Sequence, residues 1–297
     1  MLAILAAFGS ALCFGASDFI GGIASRRAPV VAVTALTYIT ATVAYAVSFL
    51  IVPSQWSIAS LGYGLGAGLT AIFGMVGFYA ALASGPIALM SPLIALIQTL
   101  LPVLYGVIVL REQLQLHHWA GIALAMLAAW MISGARLAAT RIPARSVLLA
   151  IMAGSMFATS LIFLDSSPAE SGMTPGFVEM VLGMLLLGLL AIGASRHRRV
   201  FALTSRVDPQ PPTTPTAPVP DLRVTVTALG AGLIMGTASI LVLLALRTGP
   251  LALVTAISAL YPLSTVALAA VVRRESVRPG QAVGIVLAVS ACVLLSL

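Results

Sequence analysis

Asp18 and Glu179 are acidic residues set inside long apolar runs, where a carboxylate is tolerated only with a reason. At the centre of a membrane span an Asp costs about 2.5–3.5 kcal/mol, so it is kept where a cation, a partner or a water-filled cavity meets it. Asp18, in Gly15-Ala16-Ser17-Asp18-Phe19, is therefore a candidate to hold a cation, a substrate amine or a proton. The plainer alternative is a carboxylate that reaches headgroup water a turn or two from Arg26 and Arg27. Glu179, about one turn inside its run, has the same two readings: a proton-coupling group, or an acid favoured by the positive end of its helix.

Pro102 and Pro262 fall inside apolar runs as well. A missing N–H and a ring clash there bend a helix and free a carbonyl, so both are candidate hinges, with improved packing as the alternative. Glu112 and Glu275 each follow an arginine at the end of a run, which reads as a surface ion pair and interfacial anchor. The His117-His118 pair has no Cys, Asp or Glu at ligand spacing, so no metal is expected, and no cofactor either. Cys13 and Cys292 lie in apolar runs, where small buried thiols are common and disulfides have no task. Motifs of intramembrane or soluble hydrolases, such as Gly-x-Ser-x-Gly or His-Glu-x-x-His, do not occur.

The elements that must carry these residues are membrane helices. The chain is 60% hydrophobic and 8% charged with a mean hydropathy of +1.12, whereas soluble domains carry about 25% charged residues. At about 20 apolar residues per crossing, the chain accommodates ten spans: 2–24, 31–52, 59–83, 87–110, 118–135, 146–164, 175–195, 224–246, 251–272 and 280–296. The runs are continuous rather than alternating, so helices are expected and a barrel is not. The exception to the short connections is 195–223, where four arginines precede six prolines, a composition that forms a polar linker and no core. The net charge of +7 resides in arginines at run ends, which reads as membrane orientation rather than nucleic-acid binding.

The apolar pattern occurs twice. Leu65-Gly66-Ala67-Gly68-Leu69 recurs at 229–233, Ala81-Leu82-x-x-Gly85-Pro86-x-Ala88-Leu89 recurs at 245–253, and Arg111-Glu112 followed by Gly121-Ile122 recurs as Arg274-Glu275 and Gly284-Ile285. The expected fold is an all-α membrane protein of two five-helix repeats, 1–135 and 146–297, the second including the Pro-rich loop. Five is odd, so the second copy enters the membrane upside down, and a site shared between inverted halves is the hallmark of secondary transporters. Of the fifteen arginines, all but Arg111 and Arg247 fall in odd-numbered connections. The positive-inside rule then places both chain ends outside the cytoplasm and the Pro-rich loop inside.

These features together resemble the EamA branch of the drug/metabolite transporter superfamily. The resemblance is carried by Gly15-Ala16-Ser17-Asp18-Phe19-Ile20-Gly21-Gly22, the Ala-Leu-x-x-Gly-Pro turns, and Ser258-Ala259-Leu260-Tyr261-Pro262 followed by Arg274-Glu275. It implies a ten-helix basket with a central pocket and the export or exchange of a small polar metabolite across a bacterial plasma membrane. It also implies that Tyr79, Gln98, Thr99 and Tyr261 contribute to the pocket, with interhelical hydrogen bonding or an interfacial aromatic belt as the alternative. The chain departs from the family pattern at Gln98-Thr99, the counterpart of Tyr261-Pro262, and at Arg111 and Arg274, where a glycine is usual before the glutamate. Expected partners are a solute and the bilayer. Rival readings are a non-transporting sensor or lipid-handling protein, and an intramembrane enzyme. Relatives tend to keep both ends in the cytoplasm, whereas the arginines here place them outside. A reporter fused after Leu297 is expected on the non-cytoplasmic side; a cytoplasmic signal overturns the charge-based orientation.

Overall fold

A computed structural model describes residues 1–25, 27–84, 87–133, 143–196, 221–273 and 278–297. Most of the Pro-rich loop, the Gly85-Pro86 turn, Glu275 and the side chain of Tyr79 lie outside the described residues. Among those described, regular structure is helical: α1 (Leu2–Ser25), α2 (Val30–Ser48), α3 (Ile58–Ser84), α4 (Ile87–Ile108), α5 (Leu116–Ile132), α6 (Ala144–Asp165), α7 (Thr174–Arg196), α8 (Leu222–Thr248), α9 (Leu251–Ser258), α10 (Pro262–Arg273) and α11 (Pro279–Ser296), with a 3₁₀ turn at Ala169–Ser171. Lipid cannot replace the hydrogen bonds of an open backbone, which is why apolar runs of this length settle as helices.

Eight segments are long and apolar enough to cross a bilayer, and α5 and α11 are shorter apolar helices. One of the eight, Leu251–Val272, is not a single helix. It divides into α9 and α10 across Ala259, Leu260 and Tyr261, where the bonds Leu260 N–H to Ile257 O and Tyr261 N–H to Ser258 O tighten the chain ahead of Pro262. A proline opens a helix readily and disfavours helix in the residue before it. The two candidate hinges therefore differ: the chain breaks before Pro262, while α4 runs on through Pro92 and Pro102.

Helices of the first half pack chiefly on helices of the second. α1 lies along α8 and α6 along α3; α2 meets α8 and α7 meets α3; α4 meets α6, while α1 meets α9 and α10. The pairs α2 with α7, α4 with α9, and α5 with α11 complete the bundle. Glycines let these backbones approach, as small residues do in membrane bundles. A Cβ on Gly232 would strike the Thr37 carbonyl and the Thr40 hydroxyl, and one on Gly236 would stand 2.8 Å from Ala41 Cα. Thr40 Oγ1 then donates to the Leu229 carbonyl at 2.8 Å, so the α2–α8 seam is polar as well as tight. The outward surface is apolar, with residues such as Val43, Phe73, Leu189 and Val286 more than half exposed where lipid would lie.

Loops 49–57, 109–115, 166–173 and 249–250 share one end of the bundle, called here the Arg247 face; the opposite end, where α1 stops before Arg27, is the Arg27 face. At the end of α4 the chain turns sharply: Leu110 N–H bonds to Tyr105 O, Glu112 N–H bonds to Gly106 O, and Arg111 takes a left-handed φ of 57°. The left-handed region is one that an L-residue pays for and glycine does not. A glycine would take this conformation without cost, and here an arginine holds it. Arg111→Gly is expected to raise the unfolding free energy by about 0.5–1 kcal/mol, read as a higher melting temperature in detergent; no change or a decrease contradicts the strain reading.

Candidate functional site

Asp18 occupies an unusual place on α1. Leu5, Leu12 and Ile23 form the exposed stripe of this helix, while Ala7 and Ala11 are 0% and 1% exposed. At 3.6 residues per turn Asp18 projects within about 20° of Ala7 and Ala11, and about 120–140° away from the lipid stripe. It belongs to the inward arc, yet it is exposed. An exposed residue on a buried arc faces an opening inside the bundle, not lipid. Asp18 stands seven residues from Ser25, about 10 Å along the helix from its Arg27-face end.

The break between α9 and α10 is pressed onto the same stretch of α1. A Cβ on Gly15 would collide with the Tyr261 carbonyl and with Ser264 Oγ. Ser264 Oγ donates to the Leu12 carbonyl at 2.8 Å, Thr265 Oγ1 to the Gly15 carbonyl at 3.0 Å, and Ser17 Oγ to the Ala231 carbonyl of α8 at 2.9 Å. The neighbouring hydroxyls thus spend their protons on backbone, and Asp18 has no hydrogen-bond or ion-pair partner among the described residues. Tyr261 is half-buried and within electrostatic reach of Asp18. Two buried hydroxyls without partners, Ser10 and Ser258, lie on α1 and at the end of α9. Buried polar atoms are normally satisfied, but Ser10 stands about 12 Å along α1 from Asp18, so the Asp18 region rests on the carboxylate and the nearby break rather than on these hydroxyls.

Of the other candidates, Gln98 is half-buried on α4, which packs against α9, whereas the Thr99 hydroxyl is consumed within its own helix by the Ala95 carbonyl at 2.9 Å. Glu179 does not join Asp18. It sits five residues into α7, near the Arg247 face, accepting from Ser160 Oγ at 3.2 Å and within electrostatic reach of Tyr45. The two carboxylates lie toward opposite ends of the bundle. The His117 and His118 rings are 4.2 Å apart, and His118 Nδ1 accepts from Gln115 N–H as part of the cap of α5. A cleft of ≈ 210 Å³ opens at the Arg247 face beside His118, Thr248 and Pro250, and an apolar one of ≈ 300 Å³ lies between α4 and α6 around Leu104 and Tyr105. Neither is lined by Asp18, Gln98, Tyr261 or Glu179.

Away from that cleft, the loops of the Arg247 face are tied to one another. Arg247 donates to the Ser167 carbonyl and to Ser167 Oγ, each at 2.6 Å, and to the Gly172 carbonyl at 3.4 Å. Gln55 N–H donates to the Glu170 carbonyl, Met173 N–H to Ser54 Oγ and Thr174 Oγ1 to the Gln55 carbonyl, which joins the halves. Phe49 stacks on Trp56 at 5.8 Å and Phe177 meets both edge-on, closing the same join with aromatic surface. Sequence reasoning used Arg247 only as a topology marker and took Glu112 for an interfacial anchor. Glu112 instead turns back onto the chain and accepts from Leu251 N–H at 2.7 Å and Ala252 N–H at 3.1 Å. Its recurrence beside an arginine in both repeats was the available signal.

A family model described as the EamA-like transporter family matches residues 1–134 and 144–297. A solved structure described only as a crystal structure of a protein has TM-score 0.72 over 99% of this chain and 96% of the other at 20% identity, a likeness of fold. No curated protein matches the chain. Gly15→Ala is expected to push the break off α1, costing about 1–3 kcal/mol as overpacking does; an unchanged melting temperature in detergent contradicts the direct seating of Tyr261 on Gly15.

Proposed function

The chain belongs to the EamA-like transporter family, whose members are multi-pass membrane transporters rather than enzymes, and from that premise we propose that it exports a small polar, amino-acid-like metabolite by alternating access. The observation that carries the reading is the unpaired carboxylate of Asp18, exposed on the inward arc of α1 against a helix break. Interrupted helices near mid-depth are the usual building material of solute sites, because they offer polar backbone where a continuous helix offers none. Tyr261 and Gln98, which the internal repeat relates, line this region with a phenol and an amide. They orient the solute by hydrogen bonds while their apolar parts add contact area.

Two inverted repeats, 1–135 and 146–297, make up the carrier. The exchange of packing partners between halves supports this, since α1 on α8 becomes α6 on α3 when the repeats are interchanged. The two separate stretches matched by the family model support it too. The arginine bias makes the Arg27 face cytoplasmic. With the loops of the Arg247 face tied to one another, solute reaches Asp18 from the cytoplasm, and export follows when the ties on the two faces exchange. A site that binds either solute or proton on one carboxylate couples the two fluxes, because neither returns with the other in place. Asp18 has this role, and Glu179, nearer the outer face, provides a second stop for the proton.

In proteoliposomes an amino-acid mixture should exchange saturably with wild-type protein and in a pH-dependent manner. Asp18→Asn is expected to reduce that flux about tenfold or more and to flatten its pH dependence, as loss of one functional charge does, while Glu179→Gln alters the pH profile with less effect on the maximum. Unaltered, pH-independent flux in both variants removes the coupling role.

A further inference from the structure

Glu112 belongs to the first half of the chain, but its carboxylate serves the second. Its Oε1 accepts from Leu251 N–H at 2.7 Å and its Oε2 from Ala252 N–H at 3.1 Å, so both oxygens are spent on the first turn of α9. Those amides are among the orphan donors of any helix start, and an anion there also meets the positive end of the helix dipole. Bonds from amides to a charged acceptor are about twice as strong as neutral ones. The seat is built for this purpose. The left-handed Arg111 folds the chain back, and a Cβ on Gly106 would stand 2.6 Å from Glu112 Oε2, so only a glycine there leaves room for the carboxylate. Asp165 lies within electrostatic reach of both Glu112 and Arg247.

The helix so held is a short strut. α9 has eight residues, and Leu251 through Ile257 are all buried. One end rests on Glu112 at the Arg247 face; the other ends at the break, where Tyr261 approaches Asp18. Moving either end of a packed, eight-residue helix moves the other, because a core of this density shifts as a body rather than deforming.

We infer that Glu112 is a positioning residue for transport: it latches α9 across the two halves, keeps the Arg247 face closed, and by the same strut holds Tyr261 toward Asp18. This rests on the alternating-access reading above. Letting go of the two amides frees α9 to swing outward, which opens the Arg247 face and withdraws Tyr261 from the solute. Glu112→Gln retains the size of the side chain but offers an NH₂ group to an N–H donor, so one of the two bonds becomes a repulsion.

The test is side-specific labelling by a membrane-impermeant thiol reagent in protein lacking Cys13 and Cys292. Ser10→Cys reports the Arg247 side, because Ser10 is fully buried on the inward arc of α1. Gly22→Cys reports the Arg27 side, because a Cβ there meets open space. Glu112→Gln is expected to raise labelling at position 10 from the Arg247 face about tenfold and to lower labelling at position 22 from the other face, as a population shift requires. Gly106→Ala, which keeps the carboxylate but crowds its seat, should do the same. Labelling that rises at both positions marks general loosening and overturns the latch, as does labelling unchanged in both variants. Flux is measured on the same preparations: reciprocal labelling changes without any wild-type flux strike the transport reading and leave the latch, whereas flux with labelling unmoved strikes the latch alone.

Discussion

A carboxylate in a membrane bundle has to be met by water, a cation or a proton, and Asp18 meets no protein cation among the described residues. Its arc of α1 includes Ala7 and Ala11, which are 0% and 1% exposed, so the helix presses closely against its neighbours there. Asp18 is exposed on that arc although α1 remains packed beyond it, with Ala24 2% exposed against Val33, Val224 and Ala228. Gly15 permits the helix break to lie directly on α1, and Ser17, Ser264 and Thr265 fasten the three helices through backbone carbonyls without neutralising the anion. Had any of these hydroxyls bonded the carboxylate, the charge would be structural. Left unpaired, it is available to whatever enters.

Tight seams and an exposed Asp18 are two aspects of one packing scheme. Lipid supplies no hydrophobic drive for helices to associate, so close backbone approach and interhelical hydrogen bonds must do so. The Gly232 and Gly236 contacts of α8 with α2 provide this at one seam, and Gly154, whose Cβ would lie 2.8 Å from the Ile94 carbonyl, does so between α6 and α4. The Arg247 face adds polar ties and the Phe49, Trp56 and Phe177 cluster. These ties lie at one end of the bundle, while Asp18 lies toward the other, exposed although Ser17 and Ala24 on the same helix are buried. An exchange of these conditions between the two ends is what a carrier needs.

Much of this was legible in the residues. Apolar runs and arginine positions gave the helices and their ends because membrane insertion depends on local composition. The repeated Leu-Gly-Ala-Gly-Leu and Gly-Pro turns pointed to two related halves. Asp18 stood out because charge in an apolar run is costly wherever the helix turns. What could not be read was long-range pairing. Nothing local says that the Glu112 carboxylate finds amides 139 and 140 residues away, or that Arg247 closes on Ser167. Pro102 and Pro262 were both candidate hinges, yet of the two only the second stands at a break in its span, where the chain before it tightens into a turn seated on Gly15. Glu179, grouped with Asp18 by chemistry, proved distant from it because α1 and α7 place their acids toward opposite ends.

The central claim is that position 18 faces an aqueous opening reached from the Arg27 face while the Arg247 face is closed. Asp18→Cys, in protein lacking Cys13 and Cys292, measures this directly with an impermeant, positively charged thiol reagent applied to each face in turn. Rapid modification from the Arg27 face and slow modification from the Arg247 face is the predicted result. Protection from both faces, or faster modification from the Arg247 face, would contradict it.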